Sequence, residues 1–427
     1  MYCGGCFRDN ALVAALRKQG HDALMVPLYR PLTLDEPDQS EKIPIFYGGI
    51  NVYLDQKSSL FRRAPRWLHQ LLSARPLLHW ASGRAAKTQA AEVGELLLSM
   101  LRGEEGQQAR ELTDLITWLK TQRPPDAICI SNALLAGMAR RLKAELHAPV
   151  VCLLAGEDAF LDSLPEAVRQ MAWQTLAERC VDVDLFLPPS RYFGDLMGRR
   201  LQLRPNQLAL LPNGISLAGY PTPAGAGSAT AARAEPGPAP VLGYFARMCR
   251  EKGLDRLVDA YLLLKKRNEL ANLRLHIGGG CGPGDEPLVE EQKRKLAAAG
   301  VNEHVRFFPN VTLAEKIAFY QGLTVFSVPA HYGEAFGLYV LEALAAGVPV
   351  VQPRHAGFPE LIESTGGGIL CEPDNVPALA DAIASLLHAP ERRRQLGERG
   401  QQVIHQQFSN ERMAENFVRI LAQAGKR

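Results

Sequence analysis

The strongest constraint on the fold is an alternation of short apolar runs, rich in β-branched residues, with longer amphipathic stretches. In the second half of the chain the apolar runs predict strands at Val241–Ala246, Leu273–Ile277, Val305–Phe308, Val325–Val328 and Val348–Gln352. The stretches between them predict helices at Leu254–Lys266, Leu288–Ala299 and Leu313–Gln321. Strands that alternate with helices in this way are typical of βαβ units around a parallel sheet.

The first half repeats the pattern. Its predicted helices are Asn10–Gln19, Leu134–Glu145 and Glu166–Arg179, and its predicted strands are Ala23–Leu28, Asp126–Ser131, Pro149–Leu154, Leu185–Leu187 and Leu208–Leu211. Between the halves, Pro221–Pro240 is rich in small residues and proline, which predicts a flexible surface linker.

We therefore expect an α/β protein with two doubly wound, Rossmann-like domains that face a central cleft. The first domain would span 1–220, the linker 221–240 and the second domain 241–408, followed by a C-terminal helix over 409–427. Ligands of doubly wound sheets bind outside the carboxyl ends of the strands, so that edge of each sheet is where a site is expected.

Composition narrows the function. The formal net charge of +3 and the lack of a Lys/Arg-rich block argue against a nucleic-acid partner. No apolar run reaches the roughly 18 residues that a membrane span needs, and no export signal is visible at the start of the given sequence. The eight cysteines are scattered, several in apolar runs, which favours a reducing cytoplasm over a disulfide framework.

The segment 56–91 differs from the rest because it contains no Asp or Glu, while its Arg and Lys residues alternate with Leu and Trp. Such a basic amphipathic segment can lie on an anionic membrane surface, here the inner face of the membrane, or bind an acidic acceptor. Helical cover on the first domain, with a solvated basic face, is the favoured interpretation, because amphipathic helices are far commoner in that role.

The most informative motif is HYGEAFGLYVLEALAAGVPVV, His331 to Val351, which follows a buried strand and becomes a helix. The amides of Phe336, Gly337 and Leu338 are predicted to be the unpaired donors of the helix start, an anion site whose usual occupant is phosphate. Glu334 in the loop and Glu342 on the helix supply carboxylates that accept hydrogen bonds from sugar and ribose hydroxyls.

A second motif, GYFARMCREKGLDRL, runs from Gly243 to Leu257 and carries Arg247 and Lys252 where a predicted strand ends. Two cations there can clamp a diphosphate. A pair of solvated surface cations is the alternative, and the neighbouring helix-start motif favours the binding interpretation.

These motifs resemble those of a known family. GEAFGLYVLEALAAGVPVV is similar to the E-x7-E signature of the retaining family-4 glycosyltransferases (glycosyl transferases group 1), and the spacing of Arg247 and Lys252 matches their donor-phosphate pair. LPNGISLAGY, GFPELIESTGGGIL and FSNERMAENFVRIL resemble further stretches of that family. The resemblance implies a GT-B fold, with a nucleotide sugar held by the second domain and an acceptor held by the first.

The resemblance also implies roles for single residues. Arg247 and Lys252 would hold the donor diphosphate, and Glu334 would accept hydrogen bonds from the donor sugar, beside the amides of Phe336–Leu338. Glu342 would bind the ribose, while Asn213 and Gly214 would line the cleft at the domain junction.

The N-terminus, MYCGGCFRDN, fits the glycine-rich loop that faces the donor phosphate in this family, with Gly4 and Gly5 as donor-binding residues. A redox Cys-x-x-Cys pair at a helix start is the alternative. Since the strand that should precede the loop has no room, we expect the natural chain to continue upstream of Met1 with a short apolar run.

On the acceptor side the candidates are Glu157 and Asp158, with Ser131 and Asn132 as weaker ones. Related enzymes carry a histidine near this position, whereas this chain has the two acidic residues, which orient an acceptor hydroxyl or cap the next helix. Two other motifs are set aside: Asp182-Val183-Asp184 as a metal site, and GGGCGPGD, Gly278 to Asp285, as a dinucleotide site, since its glycine register fails.

The sequence thus predicts a retaining glycosyltransferase that uses a nucleoside-diphosphate sugar, with no cofactor and no metal ion. The acceptor would be a saccharide, a lipid or a small molecule. The alternatives are a non-catalytic glycosyltransferase-like binding protein, or a sugar-nucleotide epimerase or phosphorylase on the same fold.

Overall fold

A computed structural model describes residues 4–28, 36–40, 43–47, 90–223, 239–267 and 270–424. The chain divides into two compact units. The first comprises Cys3–Leu211 together with Ala414–Arg427, and the second comprises Pro212–Met413. Neither unit contains, within its described residues, a helix long and apolar enough to cross a membrane.

The first unit is built on a parallel sheet whose described strands run in the order β1-β2-β3. All four residues of β2 are buried, as the uninterrupted apolar run PVVCLL leads one to expect for a strand covered on both faces. The strands are β1 (Ile128–Ile130), β2 (Val150–Leu153) and β3 (Leu185–Leu187). The helices are α1 (Gly4–Lys18), α2 (Ala90–Leu101), α3 (Ala109–Leu119), α4 (Ala139–Leu146), α5 (Glu157–Asp162), α6 (Glu166–Cys180) and α7 (Arg191–Arg200).

Two predicted strands of the first half are wrong. Ala23–Leu28 is irregular: Leu24 is 46% exposed and only Pro27 is buried, so the segment lacks the buried positions that would hold it in a sheet. Leu208–Leu211 is reduced to an isolated bridge between Leu208 and Phe186. The helix predicted over Leu134–Glu145 begins as a 3₁₀ segment, Ala133–Met138, which Asn132 caps by accepting a hydrogen bond from the Leu134 amide.

The second unit is built on a parallel sheet of six strands in the order β6-β5-β4-β7-β8-β9. The strands are β4 (Val241–Phe245), β5 (Arg274–Gly279), β6 (Val305–Pro309), β7 (Val325–Phe326), β8 (Val350–Pro353) and β9 (Gly368–Cys371). The helices are α8 (Leu254–Lys265), α9 (Glu286–Ala298), α10 (Leu313–Gln321), α11 (Leu338–Ala345), α12 (Phe358–Thr365), α13 (Val376–Leu387), α14 (Pro390–Gln407) and α15 (Asn410–Ala424), the last of which continues into the first unit.

All five strands predicted for the second half are present, with no end shifted by more than two residues. The sixth, β9, was not predicted, because it is only four residues long and begins at the last of three glycines. The order places β4 at the centre of the sheet, between β5 and β7. The segments that follow β4 and β7 therefore emerge side by side at the carboxyl edge.

Candidate active site

The carboxyl edge of the second sheet brings together the two motifs singled out in the sequence. Lys252 closes a 3₁₀ turn, Arg250–Lys252, that follows β4, and Glu334 lies in the loop between β7 and α11. The turn ends at Gly253, whose φ of +72° and close approach to the Pro329 carbonyl, 2.1 Å from where a Cβ would stand, exclude a side chain there. This glycine lets the β4 and β7 segments meet.

Lys252 and Glu334 are in direct contact. The Lys252 Nζ forms an ion pair with Glu334 Oε2 and donates a 2.7 Å hydrogen bond to the Tyr332 hydroxyl. The Tyr339 hydroxyl donates to the same Glu334 oxygen at 2.7 Å. Nζ also lies 4.9 Å from the centre of the Tyr332 ring, within range of a cation–π interaction. The two residues therefore form one cluster with two tyrosines.

The cluster keeps both groups charged despite burial. Burial alone would lower the pKa of Lys252, but the charge of Glu334 and hydrogen bonding to Tyr332 outweigh it, so this pKa lies above its usual range. Burial would raise the pKa of Glu334, but the Lys252 charge and hydrogen bonds from Lys252 and Tyr339 hold it below its usual range. Burial, reinforced by the Glu334 charge, raises the pKa of Tyr332 to about 12.

The start of α11 adjoins this cluster. Gly337 is its N-cap residue, in the left-handed region at φ +92°, and a Cβ there would stand 3.2 Å from the Phe358 ring. Among the described residues, the amides of Gly337 and Leu338 donate to no acceptor. The Phe336 amide differs from the sequence expectation, because it donates to the Glu334 carboxylate. Two amides rather than three thus remain available to an anion.

Arg247 lies beyond the end of β4 and is bound to a residue that the sequence did not single out. Its Nε lies 3.0 and 3.1 Å from the two carboxylate oxygens of Asp285, and its Nη2 lies 2.9 Å from Asp285 Oδ1. Hydrogen bonding to Asp285 raises the pKa of Arg247. Asp285 closes the GGGCGPGD stretch, which forms the end of β5 and a turn before α9.

Glu342 sits on α11 and is held by two partners from α10. It forms a 2.9 Å ion pair with Lys316 and accepts a 2.8 Å hydrogen bond from the Tyr320 hydroxyl. Neither partner was predicted, since both lie more than twenty residues away in the sequence. Its role as a ribose ligand stays a prediction.

Asn213 and Gly214 lie where the second unit begins. Gly214 is buried, and its amide lies 3.3 Å from the Met413 sulfur. A Cβ there would stand 2.5 Å from the Ser409 carbonyl oxygen, beside the bridge between Ile215 and Ser409. The glycine is thus required for this close backbone approach, whatever ligand the segment binds.

In the first unit, the acceptor-side candidates occupy the carboxyl edge of the β1-β2-β3 sheet. Glu157 accepts hydrogen bonds from the amides of Ala133 at 2.8 Å and Ala155 at 2.9 Å, and burial raises its pKa. Asp158 is also buried, which raises its pKa, and its Oδ1 has no hydrogen-bond partner among the described residues. Glu157 therefore ties together the segments after β1 and β2.

The same edge contains a buried pair that sequence reasoning missed. Arg8 of α1 donates to the carbonyls of Ser131 at 2.7 Å and Leu154 at 3.0 Å, and forms a 2.8 Å ion pair with Asp9. The Ser131 hydroxyl bonds to the Asp9 carboxylate, although burial keeps the pKa of Asp9 raised. The only signal in the sequence was the adjacent pair of opposite charges beside the N-terminal glycines.

Several other expectations are also decided by the structure. Gly4 and Gly5 form the first turn of α1 and not a loop, because the helical hydrogen bonding begins at Gly4. Asp182 and Asp184 are engaged in ion pairs with Arg140 and Lys143, which agrees with setting the D-x-D motif aside. The segment 56–91 and most of the linker 221–240 lie outside the described residues.

The chain has the GT-B fold, which is built from two α/β units that each contain a parallel sheet. Solved GT-B structures superimpose accordingly. HepE from Anabaena, solved in complex with UDP, matches with a TM-score of 0.62 and 17% identity over 75% of this chain and 84% of its own. A glycosyltransferase from Rickettsia africae matches with a TM-score of 0.59 and 13% identity over 95% and 100%.

Residues 229–403 match the family described as Glycosyl transferases group 1. A D-inositol 3-phosphate glycosyltransferase from Corynebacterium efficiens is 33% identical over 199 residues, which is 45% of this chain and 46% of the relative. The chain thus spans about half the length of the curated relatives it matches.

Proposed function

We propose that the protein transfers a sugar from a nucleoside-diphosphate sugar to an acceptor hydroxyl, with retention of the anomeric configuration and without a divalent metal ion. The observation that carries this proposal is the cluster of Lys252, Glu334 and two tyrosines beside the start of α11. It offers a charged lysine, a charged carboxylate and free helix amides within one small volume.

The donor diphosphate would take Lys252, Arg247 and the amides of Gly337 and Leu338 as its partners. Negative charge develops on the leaving diphosphate as the glycosidic bond breaks, and preorganised cations and amides stabilise that charge most where water is excluded. The raised pKa of Lys252 keeps this side chain cationic throughout the neutral range. In this way the chain's own residues supply the charge that a metal ion supplies in other transferases.

Glu334 would accept hydrogen bonds from hydroxyls of the donor sugar. Its lowered pKa leaves it ionised, and hence a pure acceptor, at neutral pH. The contact with Lys252 in the unliganded protein fixes the carboxylate in place before the donor arrives. Retention would follow from attack on the face that the diphosphate leaves, with a phosphate oxygen taking the acceptor proton.

The acceptor would be a polyhydroxylated molecule, free or lipid-linked. Asp158, whose buried Oδ1 has no hydrogen-bond partner among the described residues, supports an acceptor site at the carboxyl edge of the first sheet. The name of the Corynebacterium relative, a D-inositol 3-phosphate glycosyltransferase, supports a polyol as the acceptor. Inositol phosphates and simple saccharides are therefore the first acceptors to test.

The proposal is tested in three steps with the purified chain. UDP-, GDP- and ADP-sugars are screened for a rise in melting temperature, since a ligand that binds only the native state stabilises it. The donor that binds is then assayed for transfer with and without EDTA, and the anomeric configuration of the product is read by NMR.

We expect one donor class to bind, and transfer to be unchanged by EDTA with the donor configuration retained. An inverted product or EDTA-sensitive transfer would refute those parts of the proposal. Binding without transfer or hydrolysis would favour a non-catalytic binding protein.

A further inference from the structure

Asp285 is a buried carboxylate bound to a solvent-exposed arginine. Its side chain is 7% exposed, whereas the side chain of Arg247 is 66% exposed. Asp285 lies at the turn before α9 and Arg247 beyond the end of β4, so the contact joins the segments that follow two adjacent strands. A carboxylate that is desolvated to this extent is costly unless its partners are fixed in place.

The partners of Asp285 are fixed on both sides. Its Oδ2 accepts a 3.1 Å hydrogen bond from the Gly282 amide, which closes the turn in which it sits. On the other side, the Tyr244 hydroxyl donates a 2.8 Å hydrogen bond to the Arg247 carbonyl, and the Met248 amide donates to the Gly280 carbonyl at 2.8 Å. The two segments are thus locked together around the ion pair.

The contact with Asp285 determines which N–H donors of the Arg247 guanidinium remain available to a ligand. Asp285 faces the Nε and Nη2 side of the group, with Nε 3.0 Å from Oδ1 and Nη2 2.9 Å from the same atom. In the part of the chain that the structure describes, Nη1 donates to no acceptor. Because the guanidinium is planar and rigid, fixing one side fixes the direction in which the remaining N–H groups point.

We propose that Asp285 is the positioning residue of the donor site, which presents the exposed edge of Arg247 in a fixed orientation to the diphosphate. This inference rests on the proposed function, since it assumes that Arg247 binds the diphosphate. Orienting Arg247 in advance would raise the affinity for the diphosphate, because a long exposed arginine that is already oriented loses less conformational entropy when it binds. Asp285 itself would make no contact with the donor.

A competing explanation is that Asp285 only closes the turn at Gly282. The two explanations differ in what an isosteric amide does. Asparagine can still accept the Gly282 hydrogen bond, so a turn-closing role survives in Asp285→Asn. An uncharged amide cannot hold a guanidinium with both oxygens, so a positioning role does not survive.

The test is a double-mutant cycle between Asp285→Asn and Arg247→Ala. The affinity of the full chain is measured by calorimetry for UDP, GDP and ADP, and the cycle uses the nucleotide that binds the wild type. Each unliganded variant is first melted to show that it folds. If Asp285→Asn does not fold, the cycle is run with Asp285→Glu, which keeps the charge but displaces it.

We expect Asp285→Asn to weaken binding about tenfold when Arg247 is present. It should have no further effect when Arg247 is already alanine, so that the double variant binds like Arg247→Ala. A coupling of at least about threefold between the two sites supports the inference. A smaller coupling overturns the inference and leaves the proposed function standing. Such a result would arise if the losses of affinity in the two single variants simply multiply, or if Asp285→Asn binds like the wild type.

Failure of the proposed function gives a different result. If none of the three diphosphates binds the wild type, the site is not a nucleotide site and the inference falls with it. A wild type that binds, together with an Arg247→Ala variant that binds equally well, would show that Arg247 does not contact the diphosphate and would overturn the inference alone.

Discussion

The carboxyl edges of the two sheets use buried charge in opposite ways. In the first unit, Arg8, besides its ion pair with Asp9, donates to the carbonyls of Ser131 and Leu154, and Glu157 accepts from the amides of Ala133 and Ala155. In the second unit, Lys252 and Glu334 bond to each other and to tyrosine hydroxyls, while two amides at the start of α11 have no acceptor among the described residues.

This difference separates charges that hold a fold from charges that can serve a ligand. A side chain that satisfies buried backbone groups cannot exchange those bonds for a ligand without leaving the backbone groups unpaired. A side chain paired with another side chain at the mouth of a sheet can exchange partners at lower cost. The expected effects of mutation therefore differ in kind between the two edges.

The largest expected effect is on turnover in the second unit. Lys252→Ala should lower the rate of transfer about 100-fold or more, because a preorganised cation at the leaving diphosphate is lost. The rate is measured at saturating donor, with the far-UV circular dichroism spectrum recorded for each variant. Lys293→Ala, which removes an exposed lysine of α9, is the matched control and should retain wild-type activity. Wild-type turnover in Lys252→Ala would contradict the assigned role of this residue.

The next largest effect is on stability in the first unit. Glu157→Ala should lower the free energy of unfolding of this unit by about 3 kcal/mol, because it leaves buried amides without an acceptor. All four tryptophans, Trp67, Trp80, Trp118 and Trp173, fall within Cys3–Leu211, so urea unfolding followed by fluorescence reports on this unit.

In the same experiment Glu178→Ala, at an exposed position of α6, should change the stability by less than about 0.5 kcal/mol. Donor binding by Glu157→Ala should be unaffected while it is folded. An equal loss of stability in both variants would contradict the structural role of Glu157.

The pH dependence of stability should have opposite signs at the two edges. The pKa of Glu334 is lowered in the folded state, so its contribution is full above the unfolded value of about 4.5 and is lost as the pH falls through the folded pKa. The pKa of Glu157 is raised by burial, so its ionisation costs stability as the pH rises from about 4.5 through the folded pKa.

Glu334→Gln and Glu157→Gln separate these two contributions. Relative to wild type, the stability deficit of Glu334→Gln should shrink as the solution is acidified, and that of Glu157→Gln should grow. Melting temperatures recorded between about pH 3 and 7 provide the measurement. Parallel profiles for the two variants would contradict the contrast between the edges.

The smallest expected effect is at Tyr339, which would act on the proposed donor site only through its hydrogen bond to Glu334. Tyr339→Phe removes one hydrogen bond to Glu334 but leaves the Lys252 ion pair in place. Because Glu334 keeps its other partner, we expect the removal of this hydrogen bond to lower the transfer rate about fivefold. The transfer rates of Tyr339→Phe and Lys252→Ala are compared directly. If Tyr339→Phe lost as much activity as Lys252→Ala, the Tyr339 hydroxyl would have to contact the substrate itself.

Much of the second unit was predictable from the sequence. Buried parallel strands are continuous apolar runs, so β4 to β8 stand out, and glycine at position 337 marks a backbone geometry that other residues rarely adopt. Lys252, Glu334 and Gly337 were singled out because each lies in a segment that follows one of these strands. The strand at Ala23–Leu28 was wrong because an apolar run can equally pack as an irregular segment.

The sequence by itself determined the βαβ rhythm and the residues at the carboxyl edge of the second sheet, because these depend on periodicity and spacing along the chain. Only the tertiary structure decided which charges meet. Asp285 is 38 residues from Arg247, and Arg8 is 123 residues from Ser131. Such pairs depend on how strands are ordered in a sheet and on how far each side chain is removed from water, and neither quantity is written in local sequence.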